Sequence, residues 1–387
     1  MPSRALPRRR GARVALPVRA PGVLLRRLAR VVALGPGPQP HRRAPRHLGE
    51  DREGRRALSR SPDEPRATFF SLTPDRVLEA VEVGGLRCTG RCLPLRAFEN
   101  RVYEVELEDE RRLVVKFYRP GRWSRAAILD EHAFLADLAA AEVPAVAPLD
   151  LGTGGTLGEI EGIYYAAFPK VRGRTLDELD AESRRRIGRT IGRMHAVGAA
   201  RDAPHRPRLD VTSRIREPVE TLMKGNFIPG SLAPRYRDVA LHIADAVAAP
   251  LTATRAQRIH GDLHWGNMLW TSDSPILVDF DDCLVGPPVQ DLWLLARGDS
   301  EEARRGREDL LEGYQLFREF DRSTLALCEP LRALRIVYMS GWIARRWDDP
   351  AFPPAFPNFR DHRYWMQEYE ELVGISEALD QRARFDA

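Results

Sequence analysis

The hydrophobic positions between residues 69 and 170 alternate along several short segments, a pattern typical of strands that bury one face. Strands are predicted at 86–95, 101–107 and 112–118. A helix that begins after Thr73 precedes them, a second helix is predicted at about 124–141, and a hairpin is predicted to turn at Gly152–Gly155. This order of elements predicts a small antiparallel sheet with one helix packed against it.

Beyond Phe168 the spacing of the apolar positions changes to that of helices. Helices are predicted at 175–198, 232–254, 288–297, 301–319, 329–346 and 362–380. Two short apolar strands, at 268–270 and 276–278, interrupt them. We therefore expect a bilobal α+β protein, with a small sheet lobe at 67–170, a mostly helical lobe at 171–387 and a hinge near 168–173. Ligands usually bind in the cleft between two such lobes.

Residues 1–66 show neither the alternation of strands nor the spacing of helices. They contain ten Pro, 17 Arg, no Lys and five acidic residues, so the sequence predicts a disordered extension. Arg26, Arg27 and Arg30 interrupt its apolar runs before the core of a secretory signal forms. Two interpretations remain. The segment is either a polybasic arm that contacts nucleic acid or acidic lipid, or the product of a mis-assigned start codon in GC-rich DNA, which we favour because such codons encode Arg, Pro, Gly and Ala.

Charge and composition exclude several classes of protein. Residues 1–66 carry a charge of +12 within a total of +5, which leaves −7 for residues 67–387 and removes the main argument for nucleic-acid binding. No apolar run approaches the roughly 18 to 20 residues that a membrane helix needs. Four scattered Cys are too few for a disulfide framework, so we expect free thiols in a reducing cytoplasm. We also expect the protein to be a monomer.

Lysine is rare in this chain, which has 57 Arg and Lys only at positions 116, 170 and 224. Lys116 lies in a strand-like run where an ammonium would be at least half-buried, and this makes it the first functional candidate. Its partner is expected on the helix at 124–141, where Glu131 shares a stripe with apolar positions. An acid on an apolar stripe needs a cation, so Glu131 is predicted to pair with Lys116. Asp130 falls off that stripe and is predicted to be solvated.

The segment His260–Asn267 and the strand that ends at Asp279 carry the strongest chemical signal. A loop, a tight turn and a strand end are predicted to position Asp262, Asn267 and Asp279. Phosphoryl transfer needs such a set, because one carboxylate accepts the proton of the attacking hydroxyl while an amide and a second carboxylate hold magnesium on the nucleotide phosphates. The spacing Asp-x4-Asn, with an Asp twelve residues later, is that of a kinase catalytic loop and its metal-binding Asp.

Other sites are less well supported by the sequence. The alternation of His260, Asp262 and His264 suggests metal ligands, but no further His or carboxylate cluster completes a hydrolase site. The chain has no GxxxxGK[ST] motif, which excludes a P-loop. The segment Gly152–Gly158 is only loosely similar to a Gly-rich phosphate loop, and its position between strands favours a plain hairpin. Asp291 is predicted to brace the catalytic loop by hydrogen bonds.

From about Phe69 to about Trp365 the sequence resembles the stress response kinase A family, bacterial Ser/Thr protein kinases with the aminoglycoside-phosphotransferase and choline-kinase-like fold. The segments that carry the resemblance are Phe98–Tyr103, Val114–Pro120, Ile128–His132, His260–Asp262, Val278–Asp279, Gly286–Trp293 and Arg345–Trp347. The catalytic motifs are shared with a wider superfamily, whereas Glu-Asn-Arg-Val-Tyr and Lys-Phe-Tyr-Arg-Pro together point to this family. The resemblance implies a bilobal protein-kinase-like fold.

The resemblance also implies roles for individual residues. Asp262 is the implied proton acceptor. Asn267 and Asp279 are the implied magnesium ligands, and Asp279 also counts as a catalytic residue. Lys116 is the implied ligand of the nucleotide phosphates and is positioned by Glu131.

The nucleotide is expected to lie with its adenine near Phe168 and Val171 at the hinge. Ala97 stands where the family often has Ser, so a hydroxyl contact to ATP is lost at this position. Backbone amides at 96–100 are still expected to hold the phosphates, because they need no particular side chain.

The phosphorylated acceptor stays open at this point. The resemblance implies Ser or Thr hydroxyls on protein, including the chain's own, with ATP as co-substrate and Mg²⁺ as cofactor. The same core phosphorylates antibiotics, choline and homoserine in related families, so a small-molecule kinase is the main alternative. A non-catalytic nucleotide-binding module is the third interpretation, and the intact Lys-Asp-Asn-Asp set argues against it.

Overall fold

The computed structural model describes residues 69–385, except 153, 176–178, 272–273 and 299. The chain divides into two units, and the described residues lie in the second, Gly37–Ala387. The extension predicted for residues 1–66 lies outside the described residues.

A five-stranded antiparallel sheet forms the first lobe, in the order β1-β2-β3-β5-β4. Its strands are β1 Cys88–Leu95, β2 Arg101–Leu107, β3 Arg112–Phe117, β4 Gly158–Ile160 and β5 Ile163–Pro169. Helix α1, Pro74–Glu82, begins after Thr73, whose hydroxyl accepts a hydrogen bond from the Arg76 amide at 3.4 Å. Its apolar face packs on the sheet. The three strands predicted from alternation and the capped helix are thus confirmed.

The hairpin of this lobe turns at Glu161–Gly162, so the prediction of a turn at Gly152–Gly155 is wrong. Strands β4 and β5 pair across Glu161 and Gly162, whose φ angles of 51° and 75° are those of a type I′ turn. The earlier glycines lie in the loop before β4. There Gly152 approaches Gly84 so closely that a Cβ on Gly152 would meet the Gly84 carbonyl oxygen at 2.4 Å. Gly152 therefore allows two backbone segments to touch.

Helices form most of the second lobe. They are α3 Ala181–Gly198, α4 Glu217–Lys224, α5 Ala233–Ala253, α6 Val289–Trp293, α7 Glu301–Tyr314, α8 Cys328–Arg345, α9 Phe352–Ala355 and α10 His362–Phe385. The helix predicted from residue 175 begins only after Asp180, whose carboxylate caps it by accepting a hydrogen bond from the Ser183 amide at 2.8 Å. A π-helical turn, Thr212–Arg216, and α4 were not predicted.

Two pairs of three-residue strands frame the catalytic loop, residues 260–267. Strand β6, Gln257–Ile259, pairs with β9, Leu284–Gly286, and strand β7, Met268–Trp270, pairs with β8, Pro275–Leu277. The β7–β8 pair was predicted from two short apolar runs, whereas β6 and β9 were not predicted. Together the pairs hold the catalytic loop beside the segment that contains Asp279.

Helix α2, Arg125–Ala140, connects the two lobes. Its residue Ile128 packs with Tyr118 and Ala166 at the sheet, whereas Phe134 and Leu138 belong to the larger apolar core of the helical lobe. None of the four Cys is in a disulfide bond, as expected. Among the residues described, no helix is long and apolar enough to span a bilayer.

Candidate active site

Lys116 projects from β3 into a cluster of carboxylates and is only 7% exposed. Its Nζ donates to Glu131 Oε1 at 3.0 Å, and it lies 3.6 Å from Asp281 Oδ1 and 3.8 Å from Asp279 Oδ1. Burial alone would lower the pKa of Lys116, but Glu131 and the two aspartates raise it well above its ordinary value, so the ammonium stays charged. The predicted pair with Glu131 is confirmed.

Glu131 is completely buried on α2. The Tyr118 hydroxyl also donates to its Oε1, at 3.4 Å, and its Oε2 lies 4.0 Å from Arg206. Burial raises the pKa of Glu131, although Lys116 opposes this effect. Neighbouring Asp130 lies off the stripe but is not solvated as predicted: its side chain is 19% exposed and accepts a hydrogen bond from the His205 amide at 2.8 Å.

Asp291 holds the backbone of the catalytic loop. Its carboxylate is completely buried and accepts from the amides of His260 and Gly261, both at 2.8 Å, and contacts His195 Nε2 at 3.1 Å. Gly261 has a φ of 82°, and a Cβ there would meet the Asp282 carbonyl oxygen at 2.4 Å. The predicted brace is therefore confirmed, and it acts on the residues directly before Asp262.

Both ring nitrogens of His260 are engaged within the chain. Its Nδ1 accepts from the Asp262 amide at 3.4 Å, and its Nε2 lies 3.0 Å from the Val278 carbonyl oxygen. A neutral ring with its proton on Nε2 satisfies both contacts. No group of three or more His, Cys, Asp or Glu in the described part of the chain is arranged to hold a metal ion. The geometry therefore gives no support to the hydrolase interpretation of His260, Asp262 and His264.

Asp262 lies at the cleft, with its side chain 25% exposed. Arg335 on α8 donates to its Oδ1 at 2.5 Å, and His264 Nε2 lies 3.6 Å from its Oδ2. Burial would raise the pKa of Asp262, but Arg335 and the two nearby histidines lower it below its ordinary value. Asp262 is thus an ionised carboxylate, the state in which it can accept a proton.

Asn267 lies next to Asp262, and Asp279 directly follows Val278, which contacts Asn267. The Asn267 side-chain amide donates to the Asp262 carbonyl oxygen at 3.0 Å, and the Val278 amide donates to the Asn267 carbonyl oxygen at 3.1 Å. Asp279 has a left-handed φ of 62° and a side chain that is 56% exposed. One amide oxygen and one exposed carboxylate fit Mg²⁺, which usually takes one or two carboxylates and completes its shell with water and phosphate oxygens.

Asp281 and Arg122 were not predicted as site residues. Asp281 is 5% exposed, forms ion pairs with Arg122 and Lys116, and thus lies deeper than Asp279. Arg122 also bonds Asp282 at 2.5 Å. The acidic residues that follow Asp279 in the sequence could have indicated Asp281 as a site residue, whereas no sequence pattern indicated Arg122.

The loop at residues 96–100, predicted to contact the nucleotide and called the nucleotide loop below, is fastened to α8. Glu99 is the link: its carboxylate accepts from Arg346 at 2.7 Å and from the Trp342 indole at 2.5 Å, and Arg119 bonds its carbonyl oxygen at 2.8 Å. Ala97 is half-buried in this loop. None of the contacts that fasten the loop involves the side chain of Ala97.

The two predicted hinge residues differ in what surrounds them. The ring of Phe168, on β5, lies 5.5 Å from Lys116 Nζ, so this residue belongs to the site. Val171 lies two residues beyond the end of β5 and is half-buried, with no contact that ties its side chain to the cluster around Lys116 among the described residues.

Comparison with known proteins agrees with this geometry. Residues 91–328 match the phosphotransferase enzyme family. The chain is 40% identical over 319 residues to stress response kinase A of Escherichia coli strain K12, a match that covers 81% of this chain and 95% of the relative. The chain belongs to the stress response kinase A group of this phosphotransferase family. It is 39% identical over 313 residues to serine/threonine protein kinase RdoA of Salmonella typhimurium strain LT2, with the same two coverages.

Solved structures of the same fold include kinases of small molecules. Amicoumacin kinase hAmiN, in complex with AMP-PNP, Ca²⁺ and Ami, has a TM-score of 0.61 and 21% identity, covering 74% of this chain and 91% of that one. A microcompartment-associated aminopropanol kinase has a TM-score of 0.57 and 17% identity, covering 80% and 98%. These matches show the bilobal phosphotransferase fold. The curated relatives and the family identify the chain as an ATP-dependent kinase.

Proposed function

We propose that this kinase transfers the γ-phosphate of ATP to Ser or Thr hydroxyls of proteins, with its own chain among the acceptors, and acts in a stress response. The observation that carries the proposal is the convergence of Lys116, Asp262, Asn267 and Asp279 in one cleft. Two curated relatives support the protein acceptor, since they are named stress response kinase A and serine/threonine protein kinase RdoA and match 95% of their own length.

ATP binds between a nucleotide-binding lobe, residues 67–170, and an acceptor-binding lobe, residues 171–387. Lys116 neutralises phosphate oxygens, and Glu131 positions Lys116 by the hydrogen bond of 3.0 Å. Backbone amides of the nucleotide loop around Ala97 contact the phosphates. Phe168 and Val171 border the adenine. The ammonium at Lys116 is well suited to this position because it is a compact point charge among carboxylates.

Asn267 and Asp279 would hold Mg²⁺, which would neutralise charge on the nucleotide phosphates. Asp262 accepts the proton of the acceptor hydroxyl while the hydroxyl oxygen bonds to the γ-phosphorus. The bond from that phosphorus to the β–γ bridging oxygen breaks, and ADP leaves. A positioned base of this kind contributes about 10² to 10⁴ in rate, and orientation supplies much of the rest.

The acceptor class is tested by incubating the purified chain with ATP and Mg²⁺ in the presence of a generic protein substrate, or of a panel of aminoglycosides, choline and homoserine. We expect phosphoserine or phosphothreonine by mass spectrometry, on the substrate and on the enzyme, above the level formed by Asp262→Asn. Saturable turnover of a panel member without protein phosphorylation would instead identify a small-molecule kinase.

A further inference from the structure

One face of α8 lies along the cleft from the catalytic base to the nucleotide loop. Near one end of this face Arg335 contacts Asp262, and at the other end Trp342 and Arg346 contact Glu99. Tyr338 falls between them at helical spacing. With a rise of 1.5 Å per residue, position 335 and position 345 at the end of α8 are about 15 Å apart along the helix. An acceptor that reaches Asp262 must therefore pass beside this face.

Further arginines surround the same face. The guanidinium of Arg214, from the π-helical turn, lies 4.2 Å from the centre of the Tyr338 ring, and that of Arg345 lies 5.8 Å from it. Arg297 lies near Arg335, and burial together with this neighbour lowers the pKa of Arg297 to about 10. Within the described ranges, none of Arg214, Arg297 and Arg345 forms an ion pair with a carboxylate. The buried Nε of Arg214 and that of Arg335 have no hydrogen-bond partner.

Few carboxylates offset this positive charge. Asp262 is bonded by Arg335, and Glu99 is bonded by Arg346 and Arg119. Glu217 is the other carboxylate whose charge reaches Arg345. Guanidinium groups that face one another in a partly desolvated cleft repel, and a carboxylate that enters removes this repulsion and fills the unused donors. The acceptor side of the cleft is therefore cationic, although residues 67–387 as a whole carry a charge of −7.

We infer that the acceptor is a Ser or Thr within an acidic stretch of protein, whose Asp or Glu side chains bind Arg214, Arg345 and Arg335. This inference rests on the proposed protein kinase activity. An acceptor carboxylate competes with Asp262 for Arg335, which leaves the Asp262 oxygen open to the acceptor hydroxyl. Cationic acceptors such as aminoglycosides and choline are repelled by the same arginines.

The test compares three peptides of equal length with a single Thr, flanked by Glu, Gln or Lys, as substrates of the full chain with ATP and Mg²⁺. We expect kcat/KM for the Glu peptide to exceed that for the Gln peptide at least tenfold, and the Lys peptide to be the poorest substrate. Raising the salt concentration should reduce the preference, because exposed charges are screened. Arg214→Gln and Arg345→Gln should each reduce the ratio of kcat/KM for the Glu peptide to that for the Gln peptide about fivefold. Arg345 is exposed, so Arg345→Gln should leave the fold intact.

Arg235→Gln is the matched control, because Arg235 stacks on Tyr369 at 4.9 Å between α5 and α10, on other elements than the cleft face. Arg235→Gln should keep the full preference for the Glu peptide over the Gln peptide. Equal or better use of the Gln or Lys peptide would overturn the inference and leave the protein kinase proposal standing. If no peptide and no protein were phosphorylated while a small molecule turned over, the proposed function itself would fail, and with it the acidic acceptor.

Discussion

Replacing Asp291 should damage the catalytic loop without touching the nucleotide. Asp291→Ala removes the acceptor of two buried amide donors, those of His260 and Gly261, each now 2.8 Å from the carboxylate. Hydrogen bonds to charged groups contribute about 1.5 to 3 kcal/mol, so the loss of two predicts a destabilisation of about 3 to 6 kcal/mol. Asp291→Asn keeps one acceptor oxygen but turns an NH₂ group toward the second amide. We therefore expect about half of the destabilisation of Asp291→Ala.

The kinetic effect separates positioning from general stability. Since the loop carries Asp262, kcat should fall at least tenfold in Asp291→Asn, while KM for ATP stays within about twofold because Asp291 lies behind the loop. Thermal unfolding and steady-state kinetics on the same preparations measure both. Asp180→Asn is the control, because Asn caps α3 as well as Asp does. An Asp291→Asn variant that melted early but kept full kcat would refute the positioning role.

Three further predictions follow from the buried charges. Lys116→Arg should lower kcat/KM more than tenfold, because a planar guanidinium does not fit a site shaped around an ammonium, and near-parent activity would contradict this. Asp281→Asn should reduce activity and melting temperature more than Asp282→Asn, since Asp281 alone contacts both Lys116 and Arg122; similar values would place the key carboxylate elsewhere. Burial raises the pKa of Glu368 to about 7, so the folded state keeps a proton that the unfolded state releases above pH 4.5. This group should therefore cost about 3 kcal/mol of stability between pH 5 and 8, and melts of Glu368→Gln that track the parent across that range would disprove it.

Parts of this fold follow from the sequence because their patterns are long enough to be specific. Strands of six to eight residues show alternation, and an acid on an apolar helical stripe predicted the pair of Lys116 and Glu131. Strands β6 and β9 were not predicted because β6 contains Gln257 and Arg258 and β9 ends in Gly286, so neither is an apolar run of the kind that marked β7 and β8. The hairpin was misplaced because a run of glycines is a stronger turn signal than Glu161–Gly162, although the latter has the torsion angles that the turn needs.

The charge pattern of the site could be predicted only in part. Arg335 forms a hydrogen bond with Asp262, which lies 73 positions earlier in the sequence. Because the chain contains 57 Arg, the sequence does not indicate which of them contacts Asp262. The same holds for Arg214, whereas Arg345 belongs to a segment that carries the family resemblance. Their grouping beside Tyr338 arises from the packing of α8 against the π-helical turn, a tertiary contact without a sequence period. The net charge of −7 over residues 67–387 therefore does not decide the charge of the acceptor, whereas the local arrangement favours an anionic one.

Transfer of labelled γ-phosphate from ATP to a protein acceptor, measured in parallel for the parent chain and for Asp262→Asn, tests most directly whether this cleft carries out the proposed chemistry. ATP binding is measured on the same samples by calorimetry. We expect the variant to bind ATP within about threefold of the parent and to transfer phosphate about 10² to 10⁴ times more slowly, the range that a positioned base contributes. Transfer by Asp262→Asn at the parent rate, with ATP binding intact, would contradict the assignment of Asp262 as the base.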